Sequence, residues 1–353
     1  MRSRASLLCL VFAASFAPAA RAQRPSGDSA TAERTFALLS ALSDDSMEGR
    51  DTGSRGGAAA ARLIAAELGR AGLVPAGDSG WFQRVPLAWQ TATGRDGRPR
   101  RFMRLQPDFA ARDTFPVADR VSAVNVVGVL PGSDPRLRDE AVLVDAHYDH
   151  LGIAATPVNG DSIYNGADDD GSGTVAVLEV ARILSRAAPK RTIVFLLVTG
   201  EERGTLGSRW YLAHPVHPLE RTVANLEIEM IGRPDSLAGG AGKAWLTGYD
   251  RSTMGAMLRE SGIPLVADPR PAEHFFERSD NIIFARRGIP AHTISSFNLH
   301  ADYHRVSDEV RFTDPAHMAR VINATARAVR LLADGTPPTW VPGGQPQAPA
   351  PRP

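Results

Sequence analysis

A single doubly wound, mostly parallel mixed α/β sheet flanked by helices is the fold class the sequence predicts, and two observations predict it. Short apolar runs rich in β-branched residues recur along the chain: VSAVNVVGVL (121–130), AVLVDAHYD (141–149), TIVFLLVTG (192–200), ANLEIEMIG (224–232) and GIPAHTISSF (288–297). Continuous apolar runs of this length suit strands buried on both faces of a sheet. Helical patterns lie between and after them, and strands alternating with helices imply crossover units on a parallel sheet.

The elements follow in order. Residues 31–71 combine helical pattern with the loop SDDSMEGRDTGSRGG. The stretch AAAARLIAAELGRAGL then reads as an amphipathic helix stopped at Gly72. Residues 90–120 are polar, carry Arg and Pro, and show little periodicity, which predicts irregular structure or edge strands. GSGTVAVLEVARILSRA and PAHMARVINATARAVRLLAD read as helices, the second started by Thr313, Asp314 and Pro315 in cap and first-turn positions. No internal repeat is present.

At 353 residues, 43% hydrophobic and 22% charged, the chain has an ordinary soluble composition and ample material for a core. Its first residues, MRSRASLLCLVFAASFAPAARAQ, carry Arg2 and Arg4, an apolar run, then Ala20-Arg21-Ala22. This predicts a signal peptide over 1–22, a mature chain from Gln23, and export to the periplasm or the medium. The apolar run is too short to anchor the mature chain in a membrane. Losing Arg2, Arg4 and Arg21 takes the formal charge from +1 to −2, and no basic run suggests nucleic acid. Cys9, the sole cysteine, leaves with the leader, so the mature chain has neither disulfides nor thiolate ligands. The Pro/Gly-rich end, 336–353, is expected to be a disordered tail.

One stretch, NGADDDGSGTVAVLE (165–179), fits a calcium-loop template, with Asp168, Asp170, Ser172, Gly173 and Glu179 at positions one, three, five, six and twelve. An EF-hand needs a helix on each side of that loop, and the preceding VNGDSIYNGA, with Gly160, Asn165 and Gly166, cannot form one. The calcium reading fails on context. The alternative emerges from the strand ends, where open α/β sheets bind ligands. AVLVDAHYDH ends in His147, Asp149 and His150; TIVFLLVTGEE ends in Glu201 and Glu202. ANLEIEMIG carries Glu227 and Glu229 on one face, and HADYHRVSD offers His300, Asp302, His304 and Asp308. Each cluster alone reads as an ordinary solvated turn. Together with Asp168 they bring acidic groups to one sheet edge, where they repel unless cations neutralise them. Nitrogen and oxygen donors suit zinc, cobalt or manganese, with zinc the default for mixed His and carboxylate. HExxH, GxSxG and GxxxxGK[ST] are all absent.

In order, HYDHLG, NGADDDGSG, VTGEERGTLGS, EMIGR, SDNIIFARRGIP and DYHRVSDE resemble the motifs of metallopeptidase family 28, the co-catalytic zinc aminopeptidases and glutamate carboxypeptidases. The resemblance covers roughly residues 31–335 and implies a zinc exopeptidase catalytic domain over 23–335. It implies two zinc ions, Asp168 bridging them, His147 and Glu229 completing one, and Glu202 and His304 the other. Asp149 would orient His147, and Glu201 would be the general base. A cis peptide bond would follow the bridging aspartate, at Asp168–Asp169. Glu227 and Glu229 stand where the family often has Asn and Asp; anchoring on MIGR selects Glu229, although Glu227 shares its face. Tyr303 is assigned either to stabilising the tetrahedral intermediate or to packing. The implied activity is removal of N-terminal residues from peptides. The alternatives are a carboxypeptidase or dipeptidase on the same site, or an inactive receptor-like protein of the same fold.

Overall fold

The computed structural model describes residues 29–94 and 96–347. Its N-terminal part contains helices α1 (Ala32–Leu42) and α2 (Arg55–Arg70), then strands β1 (Val74–Pro75), β2 (Phe82–Thr93) and β3 (Pro99–Leu105). A short α3 (Phe109–Asp113) leads into β4 (Arg120–Leu130) and β5 (Ala141–His147). The hairpin β6 (Gly152–Val158) and β7 (Asp161–Tyr164) precedes α4 (Gly173–Leu184), β8 (Thr192–Val198) and α5 (Leu206–Ala213). The remainder comprises β9 (Thr222–Ile228), β10 (Ala244–Leu246), α6 (Met254–Glu260) and β11 (Leu265–Ala267), then α7 (Asn281–Ala285), β12 (Ala291–Ser295) and α8 (Pro315–Asp334).

Ten strands form one mixed sheet in the order β11-β10-β12-β9-β5-β8-β4-β2-β3, with β1 added beside β4. The centre is parallel: β12 pairs with β9, β9 with β5, and β5 with β8. The side reached through β4 is antiparallel throughout, so the parallel character holds for the centre and not for the 121–130 run. The polar region 90–120 contributes the end of β2 and the edge strand β3, as an aperiodic polar segment should.

Every residue of β5 and β8 is buried, and their side chains divide by parity. Val142, Val144, Ile193 and Phe195 face the cluster that holds Leu39, Ile64, Leu68, Val177, Ile322 and Val329 of α1, α2, α4 and α8. Leu143, Val194 and Leu196 face Tyr211 of α5 and Phe284 of α7. Helices therefore cover both faces, and the parallel strands all end at one edge, where β5 delivers His147. The helix ends follow the sequence signals. Asp314 caps α8 by accepting from His317 N with Pro315 in the first turn, and Gly72 follows α2 at φ 82°.

Two expectations meet different outcomes at the chain ends. The leader falls outside the described residues. The tail expected to be disordered is packed over its described part: Thr253 N donates to Thr339 O (2.9 Å), Val341 N donates to Arg251 O (3.0 Å), and Trp340 Nε1 donates to Gly288 O (2.8 Å). The Trp340 ring meets His292 at 5.6 Å and Phe276 at 6.4 Å. Proline and glycine suppress periodicity in this segment, but one tryptophan supplies enough apolar area and a donor to anchor it. Trp340→Ala is expected to lower stability by roughly 1–3 kcal/mol in chemical denaturation, given its partial burial. A variant as stable as wild type would show the tail to be unanchored.

Candidate metal centre

The run Asp168-Asp169-Asp170 occupies the turn Ala167–Ser172 that leads into α4, and its three carboxylates have different occupations. Asp170 Oδ1 accepts from Gly173 N (2.9 Å) and Met230 N (3.0 Å). Asp168 Oδ1 accepts from Gly232 N (2.6 Å), while its Oδ2 lies 2.9 Å from His300 Nε2. Ser172 Oγ takes the intervening Ile231 N at 2.9 Å. The outer two aspartates and the serine thus pin the turn to residues 230–232 at the end of β9. Asp170 keeps its Oδ2 buried without a partner, but Asp169 is the one of the three with an oxygen near each of His147 and His304. Asp308 braces the turn from behind, accepting from the amides of Asp168 and Asp169 at 3.0 Å.

Asp169 is the carboxylate that the other donors surround. His147 Nε2 lies 3.4 Å from its Oδ1, and His304 Nε2 lies 3.0 Å from its Oδ2. Two sets of donor atoms have all members within 4.8 Å of one another: His147, Asp169 and Glu229, and His150, Asp169 and Glu202. The central position expected of Asp168 is therefore held by Asp169, one residue later, and the cis peptide is likewise at Asp169–Asp170 instead of Asp168–Asp169. Three consecutive identical residues offer no spacing signal to choose among them; what separates them is the set of amides that claims Asp168 and Asp170.

The remaining expected residues are placed as follows. His147, at the C-terminal end of β5, is 1% exposed and donates from Nδ1 to the main-chain carbonyl of Asp149 (3.1 Å), which leaves Nε2 as the free donor atom. The Asp149 carboxylate stands 3.9 Å from Nδ1 and accepts from Thr52 Oγ1 (3.0 Å) and Glu201 N (3.2 Å). Orientation of His147 thus comes from the Asp149 backbone first. Glu202 meets His150 Nδ1 at 2.9 Å and His304 Nε2 at 3.3 Å. Tyr303 stacks on His304 with centroids 3.9 Å apart, and lines a small pocket with Glu229, Trp245, Phe275 and Phe297.

Glu227 and Glu229 do not share an occupation. Glu227 is fully buried and accepts from Ser279 Oγ (2.6 Å), Asp280 N (3.0 Å), Asn281 N (3.1 Å) and Thr293 Oγ1 (2.7 Å). It serves the amides at the start of α7, and its acceptor capacity is spent. Glu229, just past the end of β9, lies with His147 and Asp169.

The electrostatics show how much negative charge is gathered here. Burial pushes the Glu229 carboxyl up to about 8, with Glu227 adding to the effect. Burial likewise lifts Glu201 well above the usual range, opposed by His147 and reinforced by Asp280, Glu229 and Glu202. Burial alone would raise Asp169 too, but His147, His150 and His304 outweigh it and hold that carboxyl below its ordinary value. Burial disfavours the His304 imidazolium, yet Asp169 and Glu202 raise it to about 10.

The donors fit zinc. His147 Nε2 and Asp169 Oδ2 are buried without hydrogen-bond partners, although Asp169 Oδ2 is only 3.0 Å from His304 Nε2. Polar atoms that converge without hydrogen-bond geometry are turned toward a shared third body, and imidazole with carboxylate is a zinc donor set.

A buried cluster of His and carboxylate donors at the C-terminal edge of a parallel sheet marks a candidate metal centre of an α/β protein, and comparison with known proteins narrows its class. The peptidase family M28 model matches residues 125–329, and the chain belongs to that family. A vacuolar membrane protease of Lachancea thermotolerans is 27% identical over 235 residues, covering 65% of this chain and 22% of that protein. The chain thus spans about a fifth of the length of the curated relatives it matches. No helix among the described residues is long and apolar enough to cross a membrane. A zinc aminopeptidase from Bacillus subtilis superposes with a TM-score of 0.63 at 16% identity, covering 87% of this chain and 96% of that one. A glutaminyl cyclase from Porphyromonas gingivalis superposes with a TM-score of 0.55 at 17% identity, covering 85% and 97%. The fold therefore carries more than one reaction, and the site decides among them.

Asp169→Asn is expected to lower zinc content measured by elemental analysis, whereas Asp168→Asn should keep the metal and lose roughly 1–3 kcal/mol of stability. The opposite pattern would restore Asp168 to the centre. By the same logic Glu229→Gln should reduce zinc content, and Glu227→Gln should cost stability instead.

Proposed function

We propose that this chain is an exported dinuclear zinc aminopeptidase that removes N-terminal residues from peptides. The observation that carries the reading is one carboxylate, Asp169, shared by two groups of His and Glu donors with unpartnered atoms turned inward. His147, Asp169 and Glu229 would hold one ion; Asp169, Glu202 and His304, whose Nε2 lies 3.0 Å from Asp169 and 3.3 Å from Glu202, would hold the other, with His150 orienting Glu202 through Nδ1. When bound, the two ions would supply Lewis acidity to the scissile carbonyl and lower the pKa of the attacking water.

The protein's own groups do the rest. Glu201 follows β8 and is tied through its amide to the Asp149 carboxylate, which fixes its backbone beside Glu202. Its carboxylate accepts the proton of the attacking water and passes it to the departing amine. Tyr303, at the wall of the pocket beside Glu229, donates to the substrate oxygen on which charge develops. The buried aromatic wall of Trp245, Phe275 and Phe297 shields the Glu229 side of the site from water. Export rests on the leader sequence alone.

A dipeptidase or carboxypeptidase reading has one observation in its favour: Arg278 lines the same pocket and offers a partner to a free carboxylate. Rates on aminoacyl-nitroanilides, on their N-acetylated forms and on free dipeptides separate the two. Aminopeptidase action requires hydrolysis of the first set, loss on N-acetylation and loss with a chelator. Hydrolysis confined to substrates with a free carboxylate would replace the reading with the second.

Glu201→Gln should keep zinc content and fold while kcat drops by about 10²–10⁴-fold with KM little changed. Recovery of activity with added zinc would instead make Glu201 a ligand.

A further inference from the structure

Behind the metal centre lies a charged residue that no step above uses. Arg50 is 1% exposed, and among the described residues no carboxylate comes within ion-pair distance of it. Its donors go to main-chain carbonyls: Nε to Tyr148 O (2.8 Å), Nη1 to Leu42 O (2.9 Å) and Asn165 O (2.6 Å), and Nη2 to Gly166 O (2.7 Å). Tyr148 lies between His147 and Asp149, and Asn165 and Gly166 immediately precede the aspartate turn. One guanidinium therefore joins the two segments that carry His147, His150 and Asp169, and ties both to the end of α1.

The local backbone is bent to deliver it. Glu48, Gly49 and Arg50 have φ values of 50°, 63° and 51°, a left-handed path that non-glycine residues adopt reluctantly. At Gly49 a Cβ would stand 2.4 Å from Gly152 O and 2.6 Å from Tyr164 O, so the β6–β7 hairpin presses directly on this turn. Burial disfavours the Arg50 charge, and the carboxylates of Asp308, Asp170, Asp169 and Asp149 oppose that effect. A permanent cation thus sits beneath the acidic turn whether or not an ion is bound above it. Lysine could supply the charge but not the planar fork that reaches carbonyls on separate segments.

We propose that Arg50 is a positioning residue for the metal centre, holding the 147–150 segment and the 165–170 turn in register before any ion binds. The inference rests on the reading of His147 and Asp169 as ligands. Groups that orient ligands typically change metal affinity by about 10–100-fold when removed, and the ligands must be held to within about 0.5 Å to be useful.

The test uses the full chain stripped of zinc, titrated with zinc against a chromophoric chelator, for wild type, Arg50→Lys and a control. The control is Arg191→Lys, another buried arginine, which pairs with Glu140 and the carbonyls that end α8. Arg50→Lys is expected to raise the zinc Kd by about 10–100-fold, and Arg191→Lys to leave it within a few-fold even where both lower Tm. Equal zinc affinity in Arg50→Lys and wild type, or a change no larger than in the control, overturns the inference alone. Wild-type protein that binds no zinc overturns it together with the metal reading. Should Arg50→Lys fail to fold, the wild-type apoprotein decides. The Arg50 Nε–H resonance is expected to be protected from exchange equally with and without zinc, and its loss on zinc removal overturns the inference.

Discussion

Gathering Asp169, Glu201, Glu202 and Glu229 into one desolvated sheet edge raises the free energy of the folded chain, because each carboxylate loses water and repels the next. The histidines offset part of this, as the depressed Asp169 and elevated His304 show. Protonation of the raised Glu201 and Glu229 carboxyls, or a bound cation, relieves the rest. Much of the surrounding structure follows from that constraint. Parallel strands β5, β8 and β9 end together so that donors from distant parts of the chain converge. The turn before α4 uses Asp168, Asp170 and Ser172 to hold three successive amides, and Asp169 lies among the histidines.

The fold was legible because it depends on pattern. Apolar runs of strand length and amphipathic helices located β4, β5, β8, β9, β12, α2, α4 and α8, and the His and Glu positions at the strand ends marked the edge that matters. Orientation was not legible in the same way. The run at 121–130 looks like any buried strand, but its antiparallel pairing depends on chain path, not on residue type. The tail was misread because proline and glycine dominate its composition while one tryptophan determines its packing.

Within the site, the separation of Glu229 from Glu227 came out of a motif anchor, and the structure gives it a physical basis: four donors already satisfy Glu227. The choice among three adjacent aspartates had no such anchor. What separates them is tertiary hydrogen bonding of Asp168 and Asp170 to residues 230–232, some sixty positions away, which leaves no trace in local spacing. Arg50 was obscured for a similar reason. Its partners are backbone carbonyls, so nothing in the identity of the contacted residues advertises the contact. The fold itself is shared with a cyclase as well as aminopeptidases, which leaves the chemistry to the arrangement of these few groups.

The central claim is that two ions share Asp169. Crystals of the zinc-loaded protein, measured on both sides of the zinc absorption edge, test it without reference to activity. The account predicts two anomalous peaks flanking the Asp169 carboxylate, one beside His147 and Glu229, the other beside Glu202 and His304. A single peak at full zinc loading, or a pair centred on Asp168, would contradict it.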